Sequence, residues 1–201
     1  MSDKGFDIHV FASGEKVILR DGLPADADAY ARWMTHGEWL QYDAPWETAP
    51  RAEKVEGSGQ GFASMFIEEK ASPRNRAIIA TKENRPIGWV TWYAEKRFPQ
   101  ACSVGIDICE DECLNKGMGT EALRLWIRYL FLNSDFHRIA LNTYSFNKRM
   151  IRVAEKVGFV PEGADREIIQ WQGHWIDRVR FGMLRQEWAA APPPVRFAGR
   201  G

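Results

Sequence analysis

The sequence predicts an α/β protein, on three observations. A glycine-rich loop, Leu114-Asn-Lys-Gly-Met-Gly-Thr120, opens an amphipathic helix. A second amphipathic helix follows the apolar strand 138–144, and short strands with turn signals lie on either side of the pair. The order of strands and helices implies a mixed sheet in one layer with helices on both faces. At 201 residues, with 45% hydrophobic and 12% aromatic side chains, the chain can build a full core.

In chain order, residues 1–15 read as an N-terminal extension and 16–20 as the first strand. A helix follows over 24–34, with Asp26 and Asp28 in its first turn, where acids favour a helix N-terminus. Residues 36–50 interleave rings and acids less regularly, and a helix ending near Lys70 follows. Strands 76–81 and 87–93 flank the turn Lys82-Glu-Asn-Arg85, and 103–108 is a further strand. The helix after the glycine loop places Leu123, Trp126, Ile127 and Leu130 on one face, with Arg124 and Arg128 turned away. After strand 138–144, Asn147 is an N-cap and Met150, Ile151, Ala154 and Val157 form the apolar stripe. Gly158 closes that helix, with Phe159 the hydrophobic residue beyond the cap. Strands 166–171 and 175–184 form a hairpin through Gln172-Gly173. The domain is expected over 16–188; the tail 189–201, with three consecutive prolines, is expected to be disordered.

The loop carries the first chemistry. The first amides of a helix lack internal partners and the macrodipole favours an anion there, so Gly117 and Gly119 let backbone N–H groups approach a phosphate, with Lys116 adding charge. A bare turn needing glycine is the plainer reading. Gly117, Gly119 and Ala122 also fit a dinucleotide fingerprint, but that motif needs its first glycine close behind a strand and an acid about 20 residues on. Here strand 103–108 ends well before Gly117, and strand 138–144 carries no acid.

Composition excludes other classes. Twenty-seven acids against 27 bases leave no global field for nucleic acid or an anionic membrane. No apolar run approaches the roughly 18 residues of a membrane span, and the N-terminus lacks a signal-peptide core, so a cytoplasmic protein is expected. Cys102, Cys109 and Cys113 are odd in number and no histidine sits at zinc spacing to them, so neither disulfide nor metal is expected.

Taken together, Val104-Gly-Ile-Asp-Ile108, Asn115-Lys-Gly-Met-Gly-Thr-Glu-Ala122, Asn147 with Glu155-Lys-Val-Gly-Phe159, Glu162-Gly163 and the late Gly173-His-Trp-Ile-Asp177 resemble the GNAT superfamily of acyl-CoA-dependent N-acetyltransferases. The resemblance runs from Val17 to about Trp188 and is nearest to the branch of ribosomal-protein N-terminal and spermidine acetyltransferases. It implies a mostly antiparallel sheet whose central strands splay around acetyl-CoA, held by Ile106, Asp107 and Ile108, by Asn115, Lys116, Gly117, Met118, Gly119 and Thr120, and by Asn147 and Met150. A backbone N–H at Ile106 or Asp107 is then the oxyanion donor. Three positions depart from the family pattern: Leu114 where the loop usually begins with Gln or Arg, Ala154 where many relatives carry the thiolate-protonating tyrosine, and Ser103 where some carry a glutamate base.

Acetyl transfer needs a bound thioester, a neutral amine, an oxyanion donor and a proton for the sulfur. An alkyl amine of pKa about 10.4 must lose a proton first. Asp107, or a water held by Ser103, is the candidate relay, and Asp107 also reads as an ordinary strand-end acid. Tyr144 and Ser145 are the candidate proton donors. Glu38, Asp43 and Glu47 among Trp39, Tyr42 and Trp46 suit the mouth of a cationic-amine site, or a loop whose rings pack inward. The expected acceptor is a polyamine-like small molecule or a protein N-terminus, with acetyl or succinyl donors both open. A non-catalytic acyl-CoA-binding module and a dinucleotide oxidoreductase are the rival classes. The sequence is compatible with a homodimer.

Overall fold

A computed structural model describes residues 8–47 and 72–190. The helix expected to end near Lys70 lies outside the described residues, as does nearly all of the tail. Eight strands form one sheet: β1 (Val10–Ser13), β2 (Val17–Arg20), β3 (Arg76–Thr81), β4 (Pro86–Ala94), β5 (Ala101–Ile108), β6 (Arg138–Tyr144), β7 (Val160–Trp171) and β8 (His174–Leu184). Their order is β1-β2-β3-β4-β5-β6-β8-β7, and every neighbouring pair is antiparallel except β5 and β6. Among the described residues the α-helices are α1 (Ala27–Trp33), α2 (Met118–Asn133), α3 (Lys148–Val157) and α4 (Arg185–Ala190).

Alternation along the central strands builds two cores. On one face Val17, Leu19, Ala77 and Ile79 pack with Leu123, Trp126, Ile127 and Leu130 of α2, the stripe that the heptad spacing predicts. On the other face Ile18, Ile78, Ala80 and Trp89 pack with Ala29 and Trp33 of α1. β2 and β3 are therefore apolar on both sides, as strands covered by helices on both faces must be.

Four elements differ from expectation. β1 makes residues of the N-terminal extension an edge strand on β2. β5 begins at Ala101 rather than Ser103. β7 begins at Val160, six residues early, because shifts in register after Pro161 and after Asp165 break the period-two pattern that reveals a strand. Residues 189–190 belong to α4 rather than to the tail. The hairpin turn is as read: Gln172 and Gly173 both take positive φ, 48° and 79°, the conformation a two-residue turn needs.

Candidate active site

The glycine loop has the geometry its sequence implies. Asn115 (φ 58°) and Gly117 (φ 81°) turn the chain through the left-handed region into α2. No side chain caps this helix. Its first internal bond runs from the Glu121 amide to Gly117 O at 3.1 Å, so the amides of Met118, Gly119 and Thr120 lack intrahelical acceptors. A Cβ at Gly119 would stand 3.3 Å from Ile108 Cγ1, and one at Gly117 3.3 Å from Lys16 Nζ. The cradle is closed to larger side chains and open to an anion.

Two residues that sequence reading missed complete it. The Glu121 carboxylate accepts the amides of Glu15, Lys16 and Val17 at 2.8, 2.8 and 2.9 Å, which docks the β1–β2 turn on the first turn of α2. Lys16 Nζ then donates to Lys116 O at 2.7 Å, placing a second cation over the loop. These partners lie about a hundred residues apart, so no local pattern could have announced them.

The loop opens into a parting of the sheet. β5 and β6 pair from Ala101↔Arg138 to Val104↔Leu141 and then separate, although both strands continue. β5 stays on β4 to Ile108, and β6 stays on β8 to Tyr144. Main-chain bonds of Cys109 to Ile87 and of Glu95 to Ala101 set the alternation along β5. Asp107 and Gly105 therefore turn their peptide groups to β4, whereas Ile106 and Ile108 turn theirs into the gap. Of the two residues expected to offer an oxyanion donor, Ile106 is the one aimed there, and the Asp107 peptide is not.

A groove of about 530 Å³ fills the gap, lined by Asn115, Gly117, Gly119 and Thr120 at one end and by Ser103, Asp107, Tyr144 and Asn147 toward the other. Met150 lines it from α3. Lys116 and Met118 do not; the first is exposed on the loop and the second packs on the core. Asn147 Oδ1 accepts the Met150 amide at 3.0 Å, the N-cap expected, while its amide nitrogen points to Tyr42 O at 3.5 Å.

The proton-handling candidates separate. Tyr144 lines the groove with its ring against Trp46 (4.7 Å, edge-on) and parallel to Phe146 (6.0 Å). Burial, with the carboxylates of Glu47 and Asp43 nearby, pushes its phenol above the ordinary 10, so the hydroxyl holds its proton at neutral pH. Ser145 is outside the groove: its amide donates to Asp177 O at 2.9 Å and its Oγ accepts the Asp177 amide at 3.2 Å, which tie it to β8. Ala154 is fully buried in the main core, so position 154 offers no proton donor to the groove. Ser103 donates its hydroxyl to Glu95 Oε1 at 2.7 Å, giving the site a carboxylate that sequence reading did not assign. A cross-strand reading of Tyr93↔Ser103 could have found it.

The loop of rings and acids also divides. Trp39 is 5% exposed, lies edge-on to Trp89 at 5.3 Å and donates to Trp33 O, so it is mainly core. Glu38 is ion-paired to Arg149 at 2.8 Å, whose guanidinium covers the Tyr42 ring at 4.2 Å. Tyr42, Asp43, Trp46 and Glu47 remain around Tyr144. Cys102, Cys109 and Cys113 are buried free thiols, the first pushed to about 12 by burial.

An uncapped helix N-terminus beside a parted parallel strand pair is the architecture of an acyl-CoA-dependent acyltransferase. Residues 16–160 match the Acetyltransferase (GNAT) domain, and the chain belongs to that family. It is 32% identical over 178 residues, 87% of this chain and 90% of the relative, to the [ribosomal protein uS5]-alanine N-acetyltransferase of Escherichia coli. A prophage-derived uncharacterized N-acetyltransferase of Bacillus subtilis is 39% identical over 72 residues, 36% of this chain and 41% of that protein. The spermidine N-acetyltransferase from Vibrio cholerae, solved with CoA and spermine, superposes with TM-score 0.66 at 20% identity over 86% of this chain and 98% of its own. The chain is an N-acetyltransferase that takes acetyl-CoA as its cosubstrate and an amine as acceptor.

Proposed function

We propose that the chain acetylates a primary amine, a protein N-terminus or a polyamine-like small molecule, by direct attack on acetyl-CoA held between β5 and β6. The observation that carries this reading is the parting of β5 and β6 beside the uncapped N-terminus of α2. Acetyl-CoA supplies a thioester carbon for the amine and a thiolate that leaves. The amides of Met118, Gly119 and Thr120, with Lys116 and Lys16, hold its diphosphate, and the Ile106 and Ile108 peptides line its arm beside Asn147. The Ile106 N–H stabilises negative charge on the carbonyl oxygen, a contribution that grows in the transition state.

Two routes handle protons. Ser103, backed by Glu95, orders a water that takes the proton of the incoming ammonium, with Asp107 as the competing base. Tyr144, kept protonated by its burial, delivers a proton to the departing sulfur. Tyr42, Asp43, Trp46 and Glu47 border the amine's approach. Three unpaired buried thiols support a reducing, cytoplasmic setting.

The test is release of free thiol from acetyl-CoA against a panel of peptides and polyamines, with acetyl-CoA affinity measured by calorimetry. Thiol release that depends on an amine is the expected result. Tight acetyl-CoA binding with no amine-dependent release would make this a binding module and overturn the transfer reading.

A further inference from the structure

A second depression adjoins the first and shares Ser103, Asn142 and Arg178 with it. It measures about 850 Å³ and runs along the sheet face opposite α2, from the Tyr144 end of the acyl groove toward His137 and Arg97. Its walls are cationic. Arg178 stands directly across the ladder from Tyr144, and Arg180 across from Asn142. Both lean on a single carboxylate: Asp165 accepts Arg178 Nε at 2.8 Å and lies 3.3 Å from Arg180 Nε. Two guanidiniums on one acid leave a net positive charge, and both side chains are nearly half exposed, 44% and 47%. Farther along, Arg138 pairs with Glu162, Glu95 is bound by Ser103, and Arg97 adds another cation. Among the described residues four arginines therefore line this depression with two carboxylates, Glu95 and Glu162, and Asp165 adds a third acid beside Arg178 and Arg180.

Glu47 and Asp43 act on the Tyr144 phenol against Arg178, so charges of both signs meet at the position of transfer. A polyamine, cationic along its length, meets like charge wherever a second ammonium lies on Arg178 and Arg180. Asp165 takes Nε and one terminal nitrogen of Arg178, and a carboxylate there gains charge-assisted bonds from the guanidinium N–H groups that Asp165 leaves open on the two arginines.

Resting on the acetyl-transfer reading above, we infer that the acceptor is a peptide-like amine with a carboxylate close behind its amino group, the carboxylate docking on Arg178 and Arg180. An Asp or Glu in the second or third position of a protein N-terminus supplies that group; a free acidic amino acid supplies it in miniature.

The test compares kcat/KM for peptides identical except for Asp, Asn or Lys at the second and third positions, together with free aspartate and spermidine. The Asp peptide should exceed the Lys peptide at least about tenfold, and added salt should shrink that ratio. In Arg178→Gln/Arg180→Gln the ratio should fall to within about threefold, while Arg178→Lys keeps most of it and acetyl-CoA affinity stays the same in both variants. The salt dependence in the unaltered protein keeps the test decisive should the double variant fail to fold. Peptide preferred to free aspartate assigns the whole depression to an extended chain; the reverse assigns Arg178 and Arg180 to a small amino acid, and both outcomes support the anionic acceptor. Equal rates for Asp and Lys peptides, or a preference for spermidine, overturn the inference and leave acetyl transfer standing. No amine-dependent thiol release from any acceptor overturns both.

Discussion

The sheet has two unlike halves, and one type of ion pair appears in each. In β2–β4, clad by helices on both faces, Arg20 and Asp26 meet with side chains 1% and 6% exposed. In β6–β8–β7, whose outer face is open, Arg138 and Glu162 meet with 34% and 33% exposure. The first pair fixes the entry to α1: Asp26 accepts both guanidinium nitrogens, at 2.7 and 2.9 Å, and also the Leu23 amide at 2.8 Å. The second lies on the wall of the acceptor-side depression. The first half is packed on both faces, and the open half leaves a depression on its outer face. The groove lies where the halves part.

Breaking the buried pair should have the largest effect. Asp26→Ala leaves a guanidinium uncompensated in the core and should destabilise the fold by about 3–5 kcal/mol in urea unfolding. The folded fraction should still bind acetyl-CoA normally, because the pair is remote from the loop. Arg20→Met/Asp26→Leu, which removes both charges, should recover most of the loss. A single variant within 1 kcal/mol of the parent would show that the two halves do not differ as described.

Next is the seam itself. Gly119→Val sets a branched side chain against Ile108, and Gly117→Val forces a β-branched residue into φ 81°. Each should weaken acetyl-CoA binding by at least about a hundredfold, roughly 2.8 kcal/mol, by calorimetry. Unchanged affinity in both folded variants would remove the loop from the cofactor site.

A smaller effect is expected on chemistry. Tyr144→Phe should lower kcat by about tenfold or more while acetyl-CoA affinity holds, since the hydroxyl acts mainly in the transition state. Because burial raises this phenol, its donor role should persist through neutral pH and be lost only above about pH 10. An unchanged kcat would assign the proton to water and leave Tyr144 as packing between Trp46 and Phe146. Ser145, tied to β8, lies outside the groove.

What the sequence disclosed follows from range. α2, α3, their caps and the glycine loop are local patterns of spacing and were legible as such. Asn147 was legible as a cap because Oδ1 reaches only to Met150. The clamp of Glu121 on Glu15, Lys16 and Val17, the Glu38–Arg149 pair and the Arg178–Arg180 wall depend on contacts across the fold, and no periodicity encodes them. The insertion of β8 between β6 and β7 is equally silent, yet it is what turns Arg178 toward Tyr144. The acids around the rings were visible as composition, but only the structure pairs Glu38 with Arg149 and sets Asp43 and Glu47 near Tyr144.

The exposed pair should give the smallest effect, and its pH dependence sets it apart from the buried one. Arg138 holds the Glu162 carboxyl below its ordinary value of 4.5, so the folded state binds a proton less readily than the unfolded state. The resulting stabilisation is fully present above that ordinary value and is lost as pH falls through the lower, folded pKa. With both side chains about a third exposed, screening limits it to about 0.2–1 kcal/mol. Glu162→Gln should therefore melt slightly below the parent at pH 7, more so at low salt, and match it once the pH is well under 4.5. A gap that persists at acid pH would mean that Glu162 acts by packing rather than by charge. A gap as large as that of Asp26→Ala would erase the contrast between the two halves of the sheet.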